Sequence, residues 1–357
     1  MTGTLNVAVL GPGWCGGIRA EACAAHPIVA DLHLAEVNPE RLAEVAAKTN
    51  PASTTDQWET LVARDDVDVV MVSATPETTH YPMAKAALEA GKHVLLEKPI
   101  ALSLDEADDL IDIAESNNLK FSIAYSQRFN GKQAFAKRSI VNGSIGDPTS
   151  ILVTRHIGRN LGAKIGNRIK LSPAAMEATH DIDFAMWCLE PRRPVRVYSQ
   201  NSWGVRRDLG LPDAQLTVIT MDDGVVVTVN AGMSLPNHYP NAATTWIEVI
   251  GTEGTVFADD SHRDIVHTTV ENGIQFPLST MPGEAVLEMY AGPMERETIH
   301  FLEAVLYDRP VMVEPRMARM TMEVYMAADL SADLNELVEL PLSPEQAGLA
   351  LAASVRQ

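Results

Sequence analysis

Lys98 is the side chain whose type and setting point first to chemistry on a substrate. Lys98 lies in Glu97-Lys98-Pro99, directly after the apolar run His93-Val94-Leu95-Leu96, where a strand would deliver an ammonium into a cleft. An imidazole titrates near neutral pH and can take or return a proton, whereas an ammonium steadies charge developing on oxygen. Upstream, Val7-Ala8-Val9-Leu10 runs into Gly11-Pro12-Gly13-Trp14-Cys15-Gly16. Glycines spaced in this way after a strand let backbone amides approach a pyrophosphate at a helix start. Glu36 follows Gly16 by twenty positions, at the end of a second expected strand, where a ribose-binding acid falls.

A carboxylate at that place accepts hydrogen bonds from both ribose hydroxyls and repels a 2'-phosphate, which favours NAD over NADP. Arg41 is the nearby cation that keeps NADP open. The backbone of Ala74-Thr75-Pro76 is expected to line the same cleft, and His80 reads equally as a ribose contact or as a cap of the following helix. Further along, Thr179-His180-Asp181-Ile182-Asp183 places Glu177 and Asp183 three positions either side of His180, which is helix-face spacing. Glu177 either assists His180 or complements the dipole of its helix, and Asp183 either orients His180 or binds substrate. The glycine-rich, basic loop from Gly158 to Lys170, with Arg155 and His156 before it and Arg159, Asn160 and Arg168 within it, offers guanidinium groups for a substrate anion. Trp203, Trp246 and Tyr239 fit packing better than sugar stacking. No His, Cys or carboxylate set has metal-ligand spacing, so no metal is expected.

The elements that would carry these groups follow from hydrophobic periodicity. Five strands, at 5–10, 31–36, 67–73, 93–97 and 120–125, alternate with helices at 16–25, 39–48, 81–90 and 104–117, the rhythm of a doubly wound parallel sheet, expected to have six strands of which these runs locate five. After about residue 128 a helix at 131–142 leads into strands at 149–156, 194–203, 214–221, 225–233 and 244–250, interrupted by one helix at 173–189. Asp222-Asp223-Gly224 and Gly251-Thr252-Glu253-Gly254 read as turns between antiparallel strands. The fold class is therefore α/β: a Rossmann domain over 1–128, then an α+β domain over 129–357 with a large, mostly antiparallel sheet. Helices at 295–333 can pack back on the first domain.

Bulk properties exclude other roles. A formal charge of −19 over 357 residues, with 46% apolar residues, suits a two-core enzyme and not a nucleic-acid binder. Three cysteines, Cys15, Cys23 and Cys188, cannot all pair, which fits a reduced cytoplasmic setting. The apolar start has no basic leader and is broken by Gly11-Pro12-Gly13, and no window suits a membrane helix.

The glycine motif, Glu97-Lys98-Pro99, Tyr125-Ser126-Gln127-Arg128-Phe129, Thr179-His180-Asp181-Ile182-Asp183 and Gly251-Thr252-Glu253-Gly254-Thr255 together resemble the glucose-fructose oxidoreductase, inositol dehydrogenase and MocA family over nearly the whole chain. The resemblance implies an open-faced sheet domain, with substrate held between that sheet and the nicotinamide. It gives Lys98 contact with the reacting oxygen and His180 proton transfer. It also implies that Glu97 and Pro99 shape the nicotinamide pocket and that Gln127 and Arg128 reach cofactor or substrate. Homodimers or homotetramers through the sheet are implied as well. One departure is Met176, where many polyol-oxidising relatives carry aspartate. The leading activity is NAD-dependent oxidation or reduction of a secondary alcohol on a sugar, inositol or cyclic polyol. Glycoside cleavage through transient oxidation, and non-catalytic dinucleotide sensing, are the alternatives.

Overall fold

The computed structural model of this chain describes residues 3–166, 169–237, 239, 243–261, 265–275, 285–286, 289–290 and 292–356. Contacts group the chain into one unit of Met1–Phe129 with Pro282–Arg319 and another of Asn130–Met281 with Met320–Gln357. Segment 282–319, which the sequence boundary assigns to the second part, thus clusters with the first.

The first unit is built on a parallel sheet of six strands: β1 (Leu5–Leu10), β2 (Val29–Ala35), β3 (Ser53–Thr55), β4 (Val69–Val72), β5 (His93–Glu97) and β6 (Phe121–Ala124), in the order β3-β2-β1-β4-β5-β6. Every residue of β4 and β6 is buried, as expected where helices cover both faces of a parallel sheet. The connecting helices are α1 (Trp14–Ala25), α2 (Pro39–Thr49), α3 (Trp58–Val62), α4 (His80–Glu89) and α5 (Leu104–Ser116). Local chemistry sets their starts. Asn38 accepts from the Glu40 and Arg41 amides ahead of Pro39, and Ser103 with Glu106 forms a capping box on α5. The strand order reverses between β1 and β4, so the glycine turn after β1 and Ala74-Thr75-Pro76 after β4 face the crevice where open α/β sheets bind ligands. Strand β3 and helix α3 have no counterpart in the sequence reading, because three polar residues at a sheet edge leave no apolar run to detect.

Arg19 ties this unit together. Its guanidinium donates to Glu97 Oε1 at 2.7 Å, to Glu297 Oε2 at 2.7 Å and to Thr298 Oγ1 at 3.1 Å, with its side chain 1% exposed. It thereby joins α1, which starts at the glycine turn, to the end of β5 and to the helix Pro293–Leu306. Burial alone would discourage its charge, but Glu297 and Glu97 outweigh that and hold the guanidinium protonated.

In the second unit a mixed sheet runs in the order Thr255–Asp259, Ala243–Gly251, Pro148–Gly158, Val226–Leu235, Ala214–Met221, Pro194–Ser202, Val338–Glu339. Its pairings are antiparallel except that of Val226–Leu235 with Pro148–Gly158. Asp222-Asp223-Gly224 forms the expected hairpin, with Gly224 at φ 92°. Alternation leaves one face apolar and exposed, including Tyr198, Leu216, Val218, Trp246, Ile250 and Phe257. The segment expected as a loop from Gly158 contains the helix Arg159–Gly166, and the strand Thr255–Asp259 is additional.

Removing the Arg19 side chain leaves two carboxylates without their buried counter-charge. Arg19→Ala is expected to cost about 3–5 kcal/mol of stability, read as a lower urea midpoint with an unchanged m-value.

Candidate active site

At the end of β1 the chain turns with Gly11 at φ 77°. A Cβ there would fall 2.4 Å from Ala74 Cα, and one at Gly16 would fall 2.3 Å from the Gly11 carbonyl oxygen. Both residues must therefore lack a side chain for the turn to close against β4 and for α1 to start. Gly13, between them, would place a Cβ no nearer than 4.0 Å to its neighbours, so the space on its side-chain side is open. Trp14 is exposed at the first position of α1, and Cys15 is a thiol pushed up to about 12 by burial and by the Glu97 carboxylate. Glu36 stands just past β2, where one carboxylate oxygen accepts from the Asn38 amide at 2.9 Å. This combination of a tight glycine turn, an open approach at Gly13 and a fixed acid one strand away fits a dinucleotide.

Lys98 is half-buried immediately after β5, and its neighbour Glu97 is turned away to Arg19, as described above. Glu97 therefore acts on the scaffold through its carboxylate, with a partner 78 positions away that no local pattern announces. His80 differs from both sequence expectations. It is buried, with Nδ1 2.9 Å from the Pro99 carbonyl oxygen and Nε2 3.2 Å from that of Ala74, and α4 begins without a side-chain cap. The imidazole thus lies between the turns after β4 and β5, in its neutral form donating its one N–H to one of the two carbonyls, and is neither a helix cap nor a surface group open to ribose. Burial lowers its pKa from the ordinary 6.5, against the opposing pull of the Pro99 carbonyl and the Glu77 and Glu97 carboxylates. Gln127 and Arg128 lie buried in the short turn Ser126–Phe129, and Arg128 donates to the Met312 carbonyl at 3.0 Å, so its guanidinium braces the backbone of its own unit.

In the second unit His180 sits near the start of the helix Thr179–Leu189, which continues directly from a π-helical turn over Ala174–Ala178. Such turns re-aim side chains and recur at functional sites. From Leu171 to Leu189 every residue is buried except Glu177 and His180. The local winding therefore presents one carboxylate and one imidazole out of an otherwise buried segment. Asp181 is held by Arg155 of Pro148–Gly158 through Nε at 2.9 and 3.0 Å and Nη2 at 2.9 Å. Burial raises the pKa of Asp181 while the guanidinium opposes the rise.

Arg155 is thus an anchor between sheet and helix and not an open substrate cation. Asp183 is fully buried, which removes it from direct substrate contact. His156 is half-buried, with its pKa lowered by burial, and Arg159 donates to the Ser234 carbonyl at 3.3 Å. Arg168 lies outside the described residues. Trp246 stacks on Phe257 on the open sheet face. Among the described residues no cluster of three or more His, Cys, Asp or Glu could hold a metal, and no helix is long and apolar enough to cross a membrane.

Residues 5–125 match the family model described as oxidoreductase family, NAD-binding Rossmann fold, and residues 137–340 match that of the oxidoreductase family, C-terminal alpha/beta domain. The protein is an NAD-dependent oxidoreductase. It belongs to the GFO/IDH/MocA family. Among curated proteins it is similar to levoglucosan dehydrogenase of Pseudarthrobacter phenanthrenivorans, 28% identical over 73% of this chain and 75% of that protein. It is also similar to myo-inositol 2-dehydrogenase of Thermotoga maritima, 24% identical over 94% of this chain and 98% of that one. Among solved structures, scyllo-inositol dehydrogenase from Lactobacillus casei with bound NAD(H) and scyllo-inositol shares the fold at a TM-score of 0.81, with 21% identity, covering 94% of this chain and 99% of that one.

The buried His80 gives the unit a pH dependence with a definite sign. Its folded pKa lies below 6.5, so the unfolded chain binds the extra proton first as pH falls, and the associated stability is full above 6.5 and lost as pH falls through the folded value. His80→Asn, which keeps a donor near the Nδ1 position, should flatten the fall of the urea midpoint as pH drops below 6.5. Identical pH slopes in the two proteins would contradict this reading.

Proposed function

We propose that the chain transfers hydride between a secondary alcohol of a sugar, inositol or related cyclic polyol and NAD, with Lys98, His180 and Glu177 as the side chains serving the reacting oxygen. The observation that carries the reading is that Glu177 and His180 alone are partly exposed, half-buried along an otherwise buried helical segment that begins in a π-turn. Lys98 supports it from the carboxyl end of β5, next to the strand that borders the crevice. The substrate class is supported by the names of the relatives, which are dehydrogenases of inositols and of an anhydrosugar-type carbohydrate.

When bound, NAD supplies the hydride acceptor. The chain's own residues have three tasks. His180 takes the hydroxyl proton, Lys98 holds an ammonium against the oxygen as it gains charge, and Glu177, three positions before His180, steadies the imidazolium that results. In this proposal Glu177 supplies the charge that the apolar Met176 cannot. Glu36 favours NAD over NADP through its carboxylate. The apolar outer face of the second unit's sheet is proposed to pair with other copies in a homodimer or homotetramer, and the three free thiols suit a cytoplasmic setting.

A panel of inositols, sugars, anhydrosugars and glycosides, followed at the NADH absorbance band, tests the reading. Net NADH should accumulate with at least one free polyol or sugar. On that substrate Lys98→Met and His180→Asn should each lower kcat by roughly 100- to 10,000-fold, with Glu177→Gln showing a smaller loss. Retention of wild-type turnover by Lys98→Met would remove the proposed role, and glycoside cleavage without net NADH would replace the reaction class.

A further inference from the structure

We infer that Arg41 positions the dinucleotide-binding turn from α2, and that Gly17 is glycine so that the Arg41 guanidinium can reach it. Arg41 donates through Nε to the Pro12 carbonyl at 2.8 Å and through Nη2 to the Gly13 carbonyl at 2.7 Å, while Nη1 meets Glu44 at 2.6 Å. All three guanidinium nitrogens are therefore engaged. The Gly13 carbonyl also accepts from the Gly17 amide at 2.9 Å, as the first hydrogen bond of α1. A trans peptide points its N–H opposite to its C=O, so fixing the Gly13 carbonyl fixes the direction of the Trp14 amide at the helix start. That amide is one of the donors a helix offers to an anion.

A Cβ at Gly17 would lie 2.4 Å from Arg41 Nη2 and 3.7 Å from the Pro12 carbonyl oxygen. The first contact is with the far end of a flexible side chain, so a methyl group there displaces the guanidinium and leaves the backbone in place. Arg41 is itself placed by the cap of α2: the Asn38 side chain accepts from the Arg41 amide at 3.1 Å, and the Asn38 amide donates to Glu36. A continuous set of contacts thus links the acid at the end of β2 to the turn after β1. The ion pair with Glu44 and the two carbonyls occupy the cation that a 2'-phosphate would need. Arg41 then serves the part of the cofactor common to NAD and NADP and does not read the difference between them.

Dissociation constants for NADH and NADPH, measured on the full chain by nicotinamide fluorescence, test this with Arg41→Ala, Arg41→Lys, Gly17→Ala and the Gly17→Ala/Arg41→Ala double variant. Arg41→Ala and Gly17→Ala should each weaken NADH by about tenfold, since two charge-assisted hydrogen bonds are lost. The double variant should bind no more weakly than either single one, because both substitutions remove the same contact. NADPH should weaken by the same factor as NADH, and Arg41→Lys, which cannot serve two carbonyls in a fork, should not restore affinity. Gly17→Ala and Arg41→Lys keep the test available if Arg41→Ala does not fold. The inference is overturned by wild-type NADH affinity in Gly17→Ala, by a loss confined to NADPH in Arg41→Ala, or by full affinity in Arg41→Lys, which would make the charge alone responsible.

Discussion

The buried guanidinium of Arg19 is the interaction on which the first unit's working parts depend. It grips the carboxylate next to Lys98 and, from the helix that opens at the glycine turn, sets cofactor loop and lysine in one frame. A buried ion pair recovers little net stability once desolvation is counted, so its value here lies in direction. Guanidinium nitrogens have fixed angles, and two carboxylates with a threonine hydroxyl around them leave α1, β5 and the helix Pro293–Leu306 little freedom to slide. An apolar side chain of similar volume would fill the space without specifying that register.

The second unit repeats the device. Arg155 on Pro148–Gly158 holds Asp181 by a fork of hydrogen bonds, one residue after His180, and so fixes the rotation of the helix that carries the half-buried His180 directly after the π-turn of Glu177. In each unit a buried arginine from the scaffold orients an acid whose sequence neighbour is the residue proposed for chemistry. His80 does similar work by other means, spanning two backbone carbonyls at the ends of adjacent βα turns. Charged and aromatic polar groups that look like ligand contacts in a sequence thus serve to aim the groups beside them.

Much of this architecture was legible beforehand because it rests on local patterns. Buried parallel strands appear as apolar runs, and the turn at Gly11 and Gly16 as glycine spacing, since a close backbone approach admits no other residue. What was not legible depends on partners distant in the chain. Arg155 looks like an open cation by sequence, and the resemblance points Arg128 toward cofactor or substrate, because nothing nearby announces Asp181 or the Met312 carbonyl. The segment after Gly158 read as a loop on account of its glycines, yet Gly162 is needed within a helix, where a Cβ would fall 2.7 Å from the Met233 carbonyl oxygen. By sequence Arg41 is a possible phosphate ligand, whereas α2 brings its guanidinium onto the glycine turn.

The central claim is that hydride passes between a carbinol carbon and NAD on this protein. Its most direct test follows the atom itself: a polyol carrying deuterium at the oxidised carbon is incubated with enzyme and NAD, and the reduced cofactor is weighed by mass spectrometry. Deuterium in the NADH, absent when the label sits on the hydroxyl, is the predicted result. Reduced cofactor without the carbon-bound label, or no reduced cofactor with any inositol or sugar, would contradict it.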